Sequence, residues 1–381
     1  MKDDPLARSA MLDVLNKLIR ARSVNPTLAP HEAHGETKIA MLINDWFALH
    51  NVESWLDEVV PGRLNVVGRV GQGRGPTLVF CAHLDTVSSN GMTIPAFEPR
   101  CEGDRVYGRG SYDMKGSIAA IMGAMAALAL DPPKGVVLAA LVADEEYSSL
   151  GAQHFVANYK ADACVVTEPS EGNLILGHKG FVWVEIESHG RAAHGSRWDL
   201  GVSAIGKMGK IITALEEFDR VKLRNRIHPL MGPASQHSSI IAGGSGLSTY
   251  SESCKLKLER RTLPGETAEQ VIEELHEVIS STGESADIHL LLDRPSLICE
   301  RDRKIAACLG KAVTSTLGSP PPETGVSYWM DAALFAAAGI DTIDYGPSGA
   351  GAHEAVEWVD LRSVVNCAAV FIETTRLFCN D

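Results

Sequence analysis

Five side chains of the kinds that bind divalent cations stand in five separate short motifs of this 381-residue chain: His83, Asp113, Glu146, Glu168 and His353. Imidazole mixed with carboxylate suits Zn²⁺, and it also suits Co²⁺ or Mn²⁺. A structural zinc site is normally closed, four-coordinate and rich in cysteine. None of the eight cysteines lies in one of these motifs, so the residue types predict a catalytic metal centre.

His83 lies at the end of a short apolar run, residues 78–82, that predicts a buried strand. Asp85 follows two residues later, and alternate residues of a strand share a face. An imidazole that binds zinc usually donates its other ring N–H to a carboxylate, which fixes the tautomer and raises the basicity of the ligand. The spacing therefore predicts that the Asp85 carboxylate orients His83.

Asp113 lies between glycines, just before the long apolar stretch of residues 118–130. An aspartate in this place can cap a helix, because its carboxylate accepts backbone N–H bonds that have no partner inside the helix. The same carboxylate can bind one cation through each oxygen and hold two of them about 3.5–4 Å apart, as in two-metal hydrolases. The two roles are compatible, and Asp113 is the predicted bridge.

Three successive acids, Asp144 to Glu146, follow a strand-like run at 136–142. Such acids repel one another without nearby cations, although a solvated loop would also carry them. Another strand-like run, at 163–166, leads to Glu168, and ligands of α/β sheets bind beyond the carboxyl ends of the strands. Since neighbouring residues point in different directions, we assign Glu146 to metal and Glu145 to proton transfer, and the two roles are exchangeable at this stage.

His353 stands far downstream of the other four residues, in the glycine-rich segment 346–354. Glycines let a backbone approach a site closely, whereas alone such a histidine would be an ordinary surface residue. The long separation from Glu168 indicates an inserted unit. Its strand-like and amphipathic helical patterns predict a small α+β fold, with strands at 181–186 and 240–258 and helices at 199–218 and 267–280.

Together these motifs resemble the family of dinuclear zinc amidohydrolases that includes acetylornithine deacetylase, succinyl-diaminopimelate desuccinylase, carboxypeptidase G and aminoacylase, over essentially the whole chain. The resemblance implies two Zn²⁺ per subunit, with Co²⁺ or Mn²⁺ as alternatives, and a cis peptide bond after Asp113. It implies these roles: His83 and Glu168 on one ion, Glu146 and His353 on the other, Asp113 on both, and Glu145 as general base.

The fold that the resemblance implies is an α/β, zinc-peptidase-like catalytic domain with a mixed central sheet flanked by helices. A smaller α+β domain is inserted into it, forms the homodimer and closes over the substrate as a lid. We predict the two parts of the catalytic domain at residues 1–178 and 294–381, and the inserted domain at 179–293.

Two residues of the inserted domain have roles implied by the resemblance. His194, in the segment 190–196, corresponds to a histidine that reaches the active site of the other subunit and polarises the scissile carbonyl, and a turn histidine bonded to local backbone is the alternative. Arg261, in an acid-x-Arg-x-x-Pro-Gly element, corresponds to an arginine that binds the α-carboxylate of the substrate. Arg261 is preferred to Arg260, and a surface ion pair with Glu259 is the alternative.

One place departs from the resemblance. The family commonly has an asparagine that contacts substrate where this chain has Ser248-Thr249-Tyr250. A serine donates one hydrogen bond where asparagine offers two donors and an acceptor, so no particular family substrate is carried over to this chain.

The overall composition excludes several classes of partner. A net charge of −13 argues against nucleic acids and anionic membranes, which attract basic surfaces. The longest apolar stretch, residues 118–130, is too short to span a bilayer, and no signal-peptide core precedes the first helical pattern. Eight scattered cysteines without a Cys-x-x-Cys pair are typical of reduced thiols, so we expect a cytoplasmic protein.

The predicted function is metal-dependent hydrolysis of the amide bond of an N-acyl amino acid, in amino-acid metabolism, which releases a carboxylate and a free amino acid. The alternative is a carboxypeptidase or dipeptidase that acts on small peptides with the same dinuclear site. A catalytically silent relative would be expected to lack a ligand or the base, and all six residues are in place.

Overall fold

The structure, a computed structural model, describes residues 4–32 and 34–380. The chain forms two compact units: one comprises the residues up to Leu176, Cys299–Thr324 and those from Met330 onward, and the other comprises Gly177–Ile298 and Gly325–Trp329. The interrupted first unit agrees with an insertion. The domain bounds at 178/179 and 293/294 stay a prediction.

In chain order the helices are α1 (Arg8–Arg20), α2 (Thr37–Leu49), α3 (Gly116–Leu130), α4 (Leu150–Asn158), α5 (Ala204–Val221), α6 (Ala268–Ser281), α7 (Lys304–Leu317), α8 (Ala332–Ala337) and α9 (Leu361–Cys379). The strands are β1 (Glu53–Val60), β2 (Arg63–Gly71), β3 (Thr77–His83), β4 (Arg100–Glu102), β5 (Arg105–Tyr107), β6 (Val136–Val142), β7 (Ala163–Val166), β8 (Leu174–His178), β9 (Gly180–His189), β10 (Ile227–His228), β11 (Gly232–Pro233), β12 (Ser235–Gly243), β13 (Ser253–Thr262), β14 (Ala286–Arg294), β15 (Leu297–Ile298), β16 (Glu323–Val326), β17 (Asp341–Asp344), β18 (Gly349–Ala350) and β19 (Trp358–Asp360).

The central sheet of the first unit is mixed, as predicted, and runs in the order β1-β2-β6-β3-β7-β17-β8. The inner strands β6, β3, β7 and β17 are parallel to one another, while β1, β2 and β8 pair in the antiparallel sense. Strands β3, β6 and β7 are almost entirely buried, which explains their continuous apolar sequences. Their carboxyl ends therefore meet at one edge of the sheet.

Helix α3 packs in the core of the first unit, where it contacts α1, α9 and the sheet. The helical stretch Ser111–Leu130 is long and apolar enough to cross a membrane by composition, and it is the one such stretch among the described residues. Its window is 78 % buried inside the fold, as expected for a helix that is apolar all round.

A small second sheet of the first unit, in the order β18-β19-β5-β4, joins two distant parts of the chain. Strand β19 pairs antiparallel with β5, and Trp358 lies opposite Tyr107. The segment after β5 leads to Asp113, and the loop before β19 carries His353. This sheet therefore brings the last predicted ligand back to the others.

The second unit contains a four-stranded antiparallel sheet, β12-β13-β9-β14, with α5 and α6 packed on one face. Alternate residues of β9, namely Val182, Val184 and Ile186, lie in that core. Helix α5 begins at residue 204 rather than the predicted 199, because the Ser203 side chain caps it by accepting the N–H of Gly206 at 3.0 Å.

Candidate metal centre

Three of the predicted ligands follow parallel strands of the central sheet. His83 is the last residue of β3, Glu146 lies shortly after β6, and Glu168 lies two residues after β7. Because parallel strands end at the same sheet edge, these side chains meet there. The strand boundaries agree with the sequence prediction at 136–142 and 163–166.

Asp113 lies between the two histidines, with one carboxylate oxygen toward each. The Nε2 atom of His83 is 3.0 Å from Asp113 Oδ1, and the Nε2 atom of His353 is 3.3 Å from Asp113 Oδ2. Glu168 Oε1 lies 3.8 Å from His83 Nε2, and Glu146 Oε2 lies 3.1 Å from His353 Nε2. All five predicted ligands are therefore brought together, in two groups that share Asp113.

Each group has the size and composition of a cation site. In the group of His83, Asp113 and Glu168, and in that of Asp113, Glu146 and His353, the ligand atoms lie within 4.8 Å of one another. The Oε1 atom of Glu146 is buried and has no hydrogen-bond partner among the described residues. A buried carboxylate oxygen without a hydrogen-bond partner is suited to bind a cation, so the residues of the two groups suit two divalent ions.

The pKa shifts of these side chains reflect the negative charge that is concentrated at the site. Burial raises the pKa of Glu168 to about 8, and burial followed by the charge of Glu168 raises the pKa of Glu145 well above its ordinary range. Hydrogen bonds to Asp113 and Glu146 raise the pKa of His353 to about 10. The pocket therefore attracts positive charge, in the form of protons or of metal ions.

The backbone around Asp113 departs from a helix. Residues Asp113 and Met114 have non-helical dihedral angles, and the peptide bond between them is cis, as the resemblance implies. Helix α3 begins only at Gly116 and has no side-chain cap. The alternative role of Asp113 as a helix cap is therefore not realised, and its oxygens face the histidines.

The structure corrects the predicted contact of Asp85. The Nδ1 atom of His83 lies 2.9 Å from the backbone carbonyl oxygen of Asp85 and 3.7 Å from its carboxylate. The carboxylate instead accepts the N–H groups of Glu145 and Glu146, at 3.1 and 3.3 Å, and an N–H of Asn25 at 2.7 Å. Strand β3 ends at His83, so the strand alternation that the prediction used does not extend to Asp85. Asp85 still orients His83, but through its main chain, and its side chain holds the acidic segment.

A network of buried hydrogen bonds holds the Asp85 side chain, and the sequence patterns did not predict it. Asn25 also donates to Asp144 Oδ1 at 2.9 Å, and Arg63 donates to the same oxygen at 2.8 Å and to Glu36 at 2.6 Å. Asp144 is thus the member of the acidic triplet that pairs with an arginine instead of facing the ligands. Asn25, Glu36 and Arg63 lie in no motif, so the sequence carried no signal for them.

Among the described residues, Asp144 and Glu145 both lie outside the two ligand groups, and of these Asp144 is already paired with Arg63. The backbone of Glu145 is fixed by Asp85, and its neighbour Glu146 belongs to one group. A half-buried carboxylate beside the two ligand groups, and in neither of them, is chemically suited to accept a proton from water.

His194 and Arg261 lie in the second unit. The Nδ1 atom of His194 is 2.8 Å from the hydroxyl of Ser196, and the next residue, Gly195, donates its N–H to the Ser248 carbonyl at 2.7 Å. The place that departs from the resemblance therefore shapes the turn of His194. The ring itself is exposed, and its Nδ1 atom also accepts the backbone N–H of Ser196 at 3.3 Å, which is the local backbone bond that the alternative expected.

The two neighbouring arginines differ in their surroundings. The Arg260 side chain is 1 % exposed and pairs with Glu266 and Glu274, whereas the Arg261 side chain is 31 % exposed. Arg261 donates to Glu259 at 2.6 Å, and its guanidinium lies 5.2 Å from the centre of the Phe181 ring. The ion pair that the alternative expected is present, and it is formed through Nε of Arg261.

Comparisons with known proteins agree with this arrangement. The sequence model of Peptidase family M20/M25/M40 matches residues 79–376. The acetylornithine deacetylase of Vibrio campbellii is 31 % identical over 263 residues, which cover 67 % of this chain and 69 % of that protein. The acetylornithine deacetylase of Proteus mirabilis is 28 % identical over 379 residues, which cover 96 % and 94 %. Among solved structures, a tripeptidase from Staphylococcus aureus superposes with a TM-score of 0.79 at 17 % identity, over 98 % of this chain and 99 % of that one.

Proposed function

The chain belongs to peptidase family M20/M25/M40, whose members are hydrolases, and we propose that it hydrolyses the amide bond of an N-acyl amino acid with two divalent cations. The observation that carries the proposal is the position of Asp113, with one oxygen 3.0 Å from His83 and the other 3.3 Å from His353. A single carboxylate shared by two ligand groups is what a two-metal hydrolase requires.

The five ligands would hold the ions in the pairs His83 with Glu168 and Glu146 with His353, joined by Asp113. Zn²⁺ is the proposed metal, and Co²⁺ or Mn²⁺ suit the same donors. When bound, such ions polarise a carbonyl and lower the pKa of water toward about 7.

Glu145 is the proposed general base. Its carboxylate accepts a proton from the attacking water and returns it to the nitrogen of the leaving amine. The Glu145 carboxyl therefore carries the proton from the water to the amine nitrogen, and gives it up as the carbon–nitrogen bond breaks. His194 is proposed to donate a hydrogen bond to the oxygen that develops negative charge, from the partner subunit of a dimer.

Arg261 is proposed to bind the α-carboxylate of the substrate. Glu259 accepts the Nε–H group of Arg261 and also the indole N–H of Trp183 at 2.7 Å, so the acid is held from two sides. This clamp fixes the plane of the guanidinium before a ligand arrives. A guanidinium with a fixed plane can form two parallel bonds to a carboxylate.

The second unit also supports a homodimer. Strand β12 is an edge of its sheet and exposes Ile240 and Ile241, and the same unit exposes Trp198 and Leu247. Exposed apolar residues beside an open strand edge favour association with a second copy. All eight cysteines are free and seven are buried, which supports a reducing compartment such as the cytoplasm.

The proposed activity is tested with protein loaded separately with Zn²⁺, Co²⁺ and Mn²⁺. Amine release is followed from N-acetylornithine, N-succinyl-diaminopimelate, other N-acyl amino acids and dipeptides, with Glu145→Gln at equal metal content as the control. We expect release from at least one N-acyl amino acid by the wild type only. Cleavage of dipeptides alone would establish the peptidase alternative, and cleavage of neither class would refute the proposal.

A further inference from the structure

Glu357 is a buried acid that lies outside both ligand groups and is 1 % exposed. Its Oε1 atom accepts the backbone N–H groups of Tyr112 and Asp113, at 3.0 and 3.1 Å. Its Oε2 atom accepts the backbone N–H of Gly110 and a guanidinium N–H of Arg109, both at 2.9 Å. One carboxylate therefore accepts three backbone N–H groups from the four consecutive residues 110–113, and one of these N–H groups belongs to the shared ligand Asp113.

The main chain brings Glu357 to this place. Trp358 pairs with Tyr107 across β19 and β5, and beyond that pair the N–H of Gly108 donates to the Glu357 carbonyl at 3.1 Å. Glu357 thus holds the segment that leads to Asp113 with both its main chain and its side chain. His353 lies four residues earlier, so the same element carries one ligand and holds another.

Arg109 extends these contacts to two further loops. Besides Glu357 it donates to the carbonyl of Ser88 and to that of Glu354, each at 3.1 Å. Ser88 lies five residues after His83, and Glu354 directly follows His353. The buried pair of Arg109 and Glu357 therefore ties together the three segments that supply His83, Asp113 and His353.

We infer that Glu357, with Arg109, is a positioning residue that sets the carboxylate of Asp113 between the two cation sites. The inference rests on the proposed two-metal function. Outer groups that orient metal ligands typically change metal affinity about 10- to 100-fold when they are substituted. Because Asp113 belongs to both ligand groups, displacing it lowers the affinity for both ions. The loss of a ligand that belongs to one group lowers mainly the affinity for one ion.

A purely structural ion pair would behave differently. It would stabilise the fold, and its loss would lower the unfolding temperature without a selective effect on metal binding. Glu266 is a matched control, because its carboxylate also accepts a backbone N–H, from Leu263 at 2.7 Å, and pairs with arginines, Arg260 at 2.7 Å and Arg226 at 3.0 Å. It lies in the second unit and in neither ligand group.

The test is a stepwise titration of the metal-free protein with Co²⁺. Calorimetry and visible absorption both measure the binding of each ion. Glu357→Gln keeps the size of the side chain but places an NH₂ group among donors. We expect both Co²⁺ affinities to fall about 10- to 100-fold in Glu357→Gln, mainly one to fall in His353→Ala, and neither to fall in Glu266→Gln.

Arg109→Lys is the second variant, for the case in which Glu357→Gln does not fold. Lysine keeps the charge but cannot reach Ser88, Glu354 and Glu357 together, so both affinities fall here as well, by a smaller factor. Wild-type affinities in a folded Glu357→Gln, or in Arg109→Lys if that is the variant that folds, would overturn the positioning role alone. A wild-type chain that takes up no Co²⁺ would instead refute the proposed function itself.

Discussion

Replacing Glu145 by glutamine should abolish most of the turnover while both metal sites stay intact. Glutamine has the same shape, and the backbone N–H of residue 145 still donates to the Asp85 carboxylate at 3.1 Å, so Glu146 keeps its place. A positioned base contributes about 10²- to 10⁴-fold to the rate. This factor corresponds to about 3–5 kcal/mol of activation free energy.

The same substitution has a second expected effect, on the metal-free protein. Burial and the charges of Glu168 and Asp331 raise the pKa of Glu145, which means that its charged form is unfavourable there. A neutral glutamine removes this repulsion, so the unfolding temperature of the metal-free variant should not fall below that of the wild type. A variant that is inactive because it is misfolded would instead have a lower unfolding temperature than the wild type.

The assay compares kcat at saturating substrate for the wild type, Glu145→Gln and Glu216→Gln, an exposed control on α5. Metal content is measured on the same samples. We expect two ions per chain in all three, and loss of kcat only in Glu145→Gln. A near-normal kcat with two ions bound would remove Glu145 from its role and leave Glu146 as the acid to test.

Three further perturbations follow from the contacts. Asp85→Ala removes the carboxylate that accepts the backbone N–H groups of residues 145 and 146, which costs about 1–3 kcal/mol for each buried group. The unfolding temperature and kcat should therefore both fall. An unchanged kcat would refute this anchoring of the acidic segment. Metal uptake at pH 7 should release protons, and metal affinity should rise with pH, because the pKa of His353 is raised to about 10 and that of Glu168 to about 8. Calorimetry in buffers of different ionisation enthalpy measures the number of protons released. The release of no protons would contradict the prediction. Arg261→Lys should raise KM about tenfold, or about 1.4 kcal/mol, for an N-acyl amino acid but not for its amide, which lacks the carboxylate; equal effects on both substrates would assign Arg261 to structure.

The sequence could predict that the five candidate ligands meet, because each lies in a local pattern that the fold preserves. The runs of buried apolar residues form β3, β6 and β7. Because these strands are parallel, the polar residues at their carboxyl ends meet at one edge of the sheet. The glycine-rich segment around His353 allowed a close approach that the small sheet of β5 and β19 then provides.

Other features depended on contacts that no local pattern records. The Asp85 carboxylate contacts the acidic segment instead of the His83 ring, because β3 ends at His83, two residues before Asp85. Glu357 contacts Asp113 from 244 positions away in the sequence, and Arg63 contacts Asp144 from 81 positions away. Tertiary structure alone brings such pairs together.

Anomalous diffraction from crystals grown with Zn²⁺ would show whether Asp113 is shared between two ions. We predict two zinc peaks about 3.5–4 Å apart, with one Asp113 oxygen on each, His83 and Glu168 on one ion, and Glu146 and His353 on the other. A single peak, or two peaks of which only one contacts Asp113, would show that Asp113 does not join two metal sites.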